Sequence, residues 1–297
     1  MTTVSETRSF QGRQALTHAG VVIAVGVVAT TLAQTSVLGR IPIQNLLKNE
    51  LNADRSANAA FFFWATLAWY FKPLAGIFTD AFPLFSSRRR SYILISTTLA
   101  VLCWFGLGFV PHRYNSLLGI AIVINFFMVI ASTVVGGYMV EVAQAISGSG
   151  RLTALRNTFQ NVSTLISGPL AGFLASIAFG WTATTCGAVM FLLIPTTLLF
   201  LHEKRVSVSS QELFRNASGQ LRNIAAAKTM WAASGLMALF YIAPGLNTAL
   251  FYKQQNELHL NTEAQGYLVL VASICGIGAS IAYGFACRKL KIGRAHV

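Results

Sequence analysis

The stretch from Lys72 to Tyr92 reads KPLAGIFTDAFPLFSSRRRSY and lies between two long apolar segments. A lysine stands inside a hydrophobic run, an aspartate follows at the end of that run, and three consecutive arginines precede the next run. Charged side chains are costly in hydrocarbon, and arginine clusters mark the cytoplasmic ends of membrane helices. The stretch therefore predicts a cytoplasmic loop between the second and third helices of a polytopic membrane protein.

The composition is that of a membrane protein. Hydrophobic residues make up 54% of the 297 residues and charged residues 10%, whereas a soluble domain carries about 25% charged residues. The net charge of +13 suggests nucleic-acid binding, which we reject because the basic residues lie in short connectors and form no single face. The cysteines and histidines are dispersed, so we expect no disulfide framework, no metal site and no cofactor.

Eight segments are long and apolar enough to cross a bilayer, which takes about 20 residues. They run over residues 17–39, 58–80, 91–111, 115–140, 154–179, 181–202, 229–252 and 264–287. The two alternating sets of connectors hold sixteen and five Lys or Arg residues, and Lys72 lies inside a span. Cytoplasmic loops carry the excess of positive charge, so we expect both ends of this chain in the cytoplasm.

The longest connector, residues 203–228, is basic and amphipathic, and we interpret it as the linker between two halves. The segment KNEL at 48–51, after the first span, resembles QNEL at 255–258, after the seventh, 207 residues later. This similarity at equivalent topological positions supports a parallel repeat of six helices.

In this interpretation residues 1–202 form an N-terminal six-helix half, and residues 229–291 form the first two helices of an incomplete second half. The last residues, 292–297, read IGRAHV, which matches the translation of a common sequencing-library adapter; the alternative is a natural basic tail. We expect this chain alone not to transport, because four helices of the second half are missing.

With these residues placed, the chain resembles the folate–biopterin transporter family of the major facilitator superfamily. The loop pattern of that family corresponds in order to Lys72-Pro73, Gly76, Thr79-Asp80, Pro83, Arg88-Arg89-Arg90 and Tyr92. Further matches are Glu141 at the end of the fourth span, Pro244 in the seventh, and Leu250-Phe251-Tyr252 ahead of Glu257-Leu258. Two departures are Ser86-Ser87, which replaces a usual glycine, and Ala131 and Val135, where members often carry aspartates.

The resemblance implies an all-α, major-facilitator-type bundle with about 8 transmembrane helices present of an expected 12. It implies a secondary transporter that works by alternating access on folate- or pteridine-like anionic solutes, coupled to protons. We expect the full-length protein to be a monomer in the lipid bilayer of the plasma membrane. Two alternatives stay open: a facilitator-type carrier of another small organic solute, and a non-transporting membrane scaffold or receptor. An enzyme is not indicated, because no HExxH motif or pair of midplane aspartates is present.

Spans 1, 4 and 7 line the solute cavity in the resembled fold. Candidate cavity residues with polar side chains are therefore Thr31, Gln34, Thr35, Asn125 and Asn247, and Trp69 is a candidate for stacking on a pterin ring. The alternative for the polar residues is ordinary hydrogen bonding between helices, and for Trp69 it is helix or lipid packing.

Lys72, Gly76 and Asp80 fall at i, i+4 and i+8 and share one helix face. Lys72 either faces the cavity and attracts a carboxylate, or it snorkels or pairs with a neighbouring helix. Gly76, Asp80, Arg88, Arg89 and Arg90 are predicted to form a gating loop that contacts the other half; the alternative is topological anchoring by the arginines alone. Glu141 is either in an ion pair with Arg151 or Arg156, or takes part in proton coupling.

Overall fold

A computed structural model describes the backbone of residues 3–85, 87–145, 149–201, 203 and 246–289, with scattered positions between 219 and 236. Side chains are described from residue 17 onward, except at 143, 145, 149–155, 246–247 and beyond 278 within those ranges. The helices are α1 Thr3–Leu32, α2 Arg40–Asn49, α3 Arg55–Thr66, α4 Lys72–Ala81, α5 Arg90–Leu107, α6 Tyr114–Ala145, α7 Ser149–Ala175, α8 Phe179–Phe191, α9 Leu193–Phe200, α10 Leu246–Asn256 and α11 Thr262–Lys289, and a 3-10 helix, Leu67–Phe71, joins α3 to α4.

Within the described residues, four helical stretches are long and apolar enough to cross a membrane. They are Arg55–Ala81, Arg90–Leu107, Tyr114–Val142 and Phe179–Phe200, and Thr17–Leu32 is apolar but shorter. The four coincide with the predicted second, third, fourth and sixth spans. The all-α membrane architecture is confirmed, and the exact number of eight spans stays a prediction.

The first predicted span differs from the structure at its end. Helix α1 ends at Leu32, and turns over residues 33–39 separate it from α2. Side chains there compete with the helical backbone: Gln34 Nε2 donates to the carbonyl oxygen of Thr30 at 2.8 Å, and Ser36 Oγ donates to Gln34 Oε1 at 3.3 Å. Arg40, which the sequence predicts in a connector, is consequently the first residue of a helix.

Helix α2 is held in the core by its apolar face. Leu46 and Leu47 are 3% and 0% exposed, and Pro42 lies in the first turn, where a missing N–H costs no helical hydrogen bond. The helices pack chiefly as α5 on α6 and α8, α1 on α6 and α7, and α11 along α7. Because α2 also packs on α7, the polar residues of α2 are carried to the boundary between α7 and the C-terminal helices.

The turn between α2 and α3 recurs 207 residues later, between α10 and α11. Asn52 and His259 both adopt a φ of 51°. Asp54 accepts a hydrogen bond from the backbone N–H of Ala57, and Asn261 accepts one from Ala264, so each caps the helix that follows. The backbone bonds of Glu50, Leu51, Ala53 and Asn58 have counterparts in those of Glu257, Leu258, Leu260 and Gln265. The short sequence repeat is thus a repeat of backbone structure.

Candidate functional site

A cavity of about 510 Å³ lies between α2 and α7 on one side and α10 and α11 on the other. Its volume is within the range of small-molecule sites, about 300–1,000 Å³. The polar residues that line it include Arg40, Gln44, Ser167, Gln254, Gln265 and Ser273. Aliphatic and aromatic side chains such as Ile41 and Phe251 complete the wall, so the cavity combines an apolar surface with a few hydrogen-bonding groups.

Arg40 is the cation of this cavity. It is half-buried, and its side chain makes no ion pair and no hydrogen bond with any residue that the structure describes. Among the described residues that line the cavity there is no Asp or Glu. Arginine stays charged under physiological conditions and carries five N–H donors, so the site has a positive charge that the described protein groups leave uncompensated.

Hydrogen bonds join α10 to the α2–α3 region beside one end of the cavity. Lys48 Nζ donates to Gln255 Oε1 at 2.7 Å and to Asn256 Oδ1 at 2.5 Å. Tyr252 donates its hydroxyl to the carbonyl oxygen of Ala53 at 2.6 Å, and its ring lies 5.3 Å from the Lys48 ammonium. These contacts lie beside Gln44 and Gln254, the cavity residues at that end of α2 and α10.

Glycines form the contact between α7 and α11, beside the cavity. A Cβ on Gly168 would lie 2.6 Å from the carbonyl oxygen of Gly266, and a Cβ on Gly172 would lie 2.7 Å from that of Thr262. A Cβ on Gly266 would in turn overlap the carbonyl oxygen of Gly168. Small residues allow such close approach of membrane helices, so the backbones of α7 and α11 touch directly.

The predicted cavity residues lie elsewhere, in a polar network around α6. Trp69 Nε1 donates to Asn125 Oδ1 at 2.8 Å, and Asn125 Nδ2 donates to Thr35 Oγ1 at 2.9 Å. Asn125 and Thr35 are fully buried. Lys72 Nζ donates to Ser132 Oγ at 2.9 Å and lies 5.2 Å from the Trp69 ring centroid. The structure thus shows the helix-paired arrangement of Lys72, against α6.

Thr31 lines a much smaller pocket of about 10 Å³, together with Ser132 and Arg156. Gln34 is engaged with Thr30 and Ser36, as described above. The side chain of Asn247 lies outside the described residues. Of the six candidates whose side chains are described, none lines the larger cavity, and their role in solute binding stays a prediction.

A second charged centre, the arginine cluster, comprises Asp80, Arg88, Arg89, Arg90 and Glu141. Arg89 is buried, with 7% of its side chain exposed, and forms ion pairs of 2.6 Å with Asp80 and 2.7 Å with Glu141. The sequence predicts Arg151 or Arg156 as the partner of Glu141; among the described side chains its ion-pair partner is Arg89, and the side chain of Arg151 lies outside the described residues. Gly137 lies directly against the Arg89 guanidinium: a Cβ there would lie 2.8 Å from Arg89 Cζ, so the guanidinium would have to shift.

Glu203 holds the start of α5 from a distant part of the chain. Its carboxylate accepts backbone hydrogen bonds from Arg88 at 2.9 Å, Arg89 at 3.0 Å and Arg90 at 3.1 Å, and one from the Ser87 hydroxyl at 2.6 Å. A carboxylate at a helix N-terminus compensates the unpaired N–H groups and the helix dipole. In the described chain, the hydrogen-bond and ion-pair partners of the three arginines lie between residues 80 and 203.

The pKa values of this cluster follow from these contacts. Burial favours the neutral form of Arg89, but the hydrogen bond and charge of Glu141 and the charge of Asp80 outweigh it and raise the pKa of Arg89. Burial likewise opposes ionisation of Glu203, but the hydrogen bonds from Ser87 and from the backbone of Arg90, Arg89 and Arg88 lower its pKa. Both groups are therefore held in their charged forms.

Sequence reasoning does not identify Arg40 and Glu203 as site residues. The polar run Gln34-Thr35-Ser36 interrupts the apolar spacing that resumes with Ile41, so Arg40 falls in a predicted connector. That spacing, continued by Ile43, Leu46 and Leu47, is the signal that predicts a further helix. Glu203 carries no local signal, since its hydrogen-bond partners lie more than 110 residues earlier in the chain.

Comparison with known proteins gives several matches. The sequence model of the BT1 family matches residues 34–294. The folate-biopterin transporter of Synechocystis sp. is 25% identical over 259 residues, which cover 86% of this chain and 51% of that protein. Folate transporter 1 of Plasmodium falciparum is 22% identical over 267 residues, which cover 88% and 52%. The chain thus spans about half the length of these curated relatives.

A solved structure of similar fold is the crystal structure of a D-xylose-proton symporter. It matches with a TM-score of 0.60 over 93% of this chain and 69% of its own, at 12% sequence identity. At this identity the similarity shows the fold alone, which is the major-facilitator helical bundle.

Proposed function

Because this chain belongs to the BT1 family, we propose that the whole protein is a secondary transporter that carries a folate- or pteridine-like anion across a membrane by alternating access. The relatives above carry the names of folate transporters. The family relationship confirms the resemblance based on residues 72–92. The chain is part of a multi-pass membrane transporter and not of an enzyme.

The cavity between α2, α7, α10 and α11 is the observation that carries this proposal. In an alternating-access carrier the solute site lies between repeated units and opens to one side of the membrane at a time. The α10–α11 turn repeats the α2–α3 turn, and Lys48 and Tyr252 join the two turns at one end of the cavity. This geometry supports a carrier in a state that is closed at the Lys48 end.

We place the Lys48 end outside the cell and the arginine cluster on the cytoplasmic side of the plasma membrane, with both ends of the chain in the cytoplasm. The support is the distribution of positive charge, because three consecutive arginines precede α5. In this orientation the state described here is closed to the outside.

The arginine cluster is our candidate for the cytoplasmic gate, together with Gly76 on α4. A Cβ on Gly76 would lie 3.4 Å from Thr133, so α4 is in van der Waals contact with α6 one helical turn before Asp80. Arg89 holds both Asp80 and Glu141, and protonation of either carboxylate removes one of its ion pairs. We propose that this is the step that couples a proton to opening of the gate.

Uptake by the full-length protein tests the function. Bacterial cells that lack folate uptake would express the protein and receive radiolabelled folate, with and without a protonophore; cells with the empty vector are the control. We expect saturable accumulation that the protonophore reduces several-fold. Accumulation no higher than in control cells would overturn the pteridine assignment, and accumulation that is insensitive to the protonophore would overturn proton coupling alone.

A further inference from the structure

Arg40 stands out among the cavity residues for its chemistry and its position. It begins α2 and shares one helix face with Gln44 and Lys48, at i, i+4 and i+8. Lys48 is engaged by Gln255 and Asn256 at the closed end, whereas Arg40 lies about 12 Å further along the axis, at 1.5 Å per residue. The charge of Arg40 therefore lies inside the cavity and away from its closed end.

An arginine in such a place needs an anionic partner. A guanidinium that is partly removed from water and lacks a carboxylate partner is unfavourable compared with an ion pair. Its planar set of N–H donors matches the two oxygens of a carboxylate, which it binds in bidentate fashion. Since no acidic side chain is among the described residues that line the cavity, a carboxylate on a bound solute would compensate this charge.

Amide side chains surround the same space. Gln44 is 2% exposed and Gln265 is 3% exposed, and both line the cavity with Gln254. Gln265 Nε2 donates to the carbonyl oxygen of Leu260 at 3.2 Å, but Gln265 Oε1 is buried without a hydrogen-bond partner among the described residues. A buried acceptor without a partner is costly. It marks a position where a donor on a ligand gains a hydrogen bond.

Lys72 does not offer the same chemistry. Its ammonium already donates to Ser132 and lies over the ring of Trp69, and Lys72 is not among the residues that line the cavity. Of the two cations, Arg40 is the one whose donors remain available.

We propose that Arg40 binds a carboxylate group of the solute and thereby makes the carrier select carboxylated solutes over neutral ones of the same ring system. This assignment rests on the proposed function for the identity of the solute, but the carboxylate site is a property of the cavity that binding measurements test without transport. Gln265 is then the residue that accepts a hydrogen bond from the uncharged part of the solute.

Ligand binding to the purified full-length protein, read as a shift in melting temperature in detergent, tests this inference. The ligands are folic acid, p-aminobenzoylglutamate, which has the carboxylates without the pterin, and biopterin, which has the pterin without a carboxylate. The variants are Arg40→Gln, Arg40→Lys and, as a matched control at an exposed arginine outside the cavity, Arg113→Gln.

We expect Arg40→Gln to weaken binding of both carboxylated ligands at least tenfold, while biopterin binding changes less than threefold. Arg40→Lys, which keeps the charge and loses the bidentate geometry, should give a smaller loss, and it replaces Arg40→Gln as the test if the latter does not fold. Arg113→Gln should behave as wild type.

Equal affinity of wild type and the Arg40 variants for the carboxylated ligands would overturn the inference. So would an equal loss for all three ligands, or a wild-type protein that binds no carboxylated ligand. If Arg40-dependent carboxylate binding is found but cells accumulate no folate, the inference stands and the proposed function fails.

Discussion

Lys48 and Gln255 occupy the same position in a repeat of 207 residues, and they are hydrogen-bonded to each other at 2.7 Å. Two equivalent positions touch only if they lie close to the axis that relates the repeated units. Parallel repeats of membrane carriers are related by an axis along the membrane normal. We infer that the contact between Lys48 and Gln255 lies close to that axis, where the proposed alternating-access motion would open or close this end of the cavity.

Locking this contact should stop transport. In the full-length protein we expect the double variant Lys48→Cys/Gln255→Cys to form a cross-link with a short bis-methanethiosulfonate, which joins the two thiols through reducible disulfides, because the two side chains meet directly. Cross-linking should reduce folate uptake by at least tenfold, since the outer end cannot open, and a reductant should restore it. The single variants with the same reagent are controls. Unchanged uptake by fully cross-linked protein would show that this contact is not part of the moving gate.

The position of the Arg89 side chain should be sensitive to one methyl group added at residue 137. In Gly137→Ala the new Cβ would lie 2.8 Å from the Arg89 guanidinium carbon, so the guanidinium must shift, and we expect its ion pairs with Asp80 and Glu141 to weaken. We expect destabilisation by about 1–3 kcal/mol, the range for overpacking, and a several-fold loss of uptake. Melting temperature and initial uptake rate measure the two effects.

The adjacent glycine provides the matched control for this experiment. A Cβ on Gly136 meets no heavy atom within 4 Å, so Gly136→Ala should change stability by less than about 0.5 kcal/mol. Equal behaviour of Gly136→Ala and Gly137→Ala would show that the position of the Arg89 guanidinium is not what matters.

The close packing of α7 on α11 should also depend on the glycines at their contact. A Cβ on Gly172 would lie 2.7 Å from the carbonyl oxygen of Thr262, which is backbone and cannot rotate away. Gly172→Ala should therefore separate the two helices and lower the melting temperature. Gly278→Ala on α11, where a Cβ meets no heavy atom within 4 Å, is the control. An unchanged melting temperature in Gly172→Ala would show that this approach is not tight.

The sequence was sufficient for the membrane class, the family and the repeated turn, because each depends on local patterns, whereas the repeat of six helices stays a prediction. Apolar length identifies the spans, and the KNEL and QNEL segments are visible as letters. The sequence was not sufficient to predict the cavity between α2, α7, α10 and α11. Arg40 lines it because α2 follows the turns at residues 33–39, which contain backbone hydrogen bonds to the carbonyl oxygen of Gln34 and a side-chain bond from Gln34 to Thr30. Periodicity does not encode such bonds, nor the long-range partners of Glu203.

The attachment of Glu203 to the start of α5 should weaken with acid. Hydrogen bonds from Ser87 and from three backbone N–H groups lower its pKa in the folded protein, so the stabilisation is present above the ordinary glutamate pKa of about 4.3 and is lost as pH falls through the lower folded value. Glu203→Gln should cost about 1 kcal/mol at pH 7, the usual size of a lost helix cap. The difference in melting temperature between wild type and Glu203→Gln should then shrink below about pH 4.

The control is Glu257→Gln, at an exposed residue whose carboxylate lies 3.9 Å from Lys253. This variant should remove no more than a weak surface ion pair. A difference between wild type and Glu203→Gln that stays constant from pH 7 to pH 3.5 would show that the ionised carboxylate does not hold the helix start.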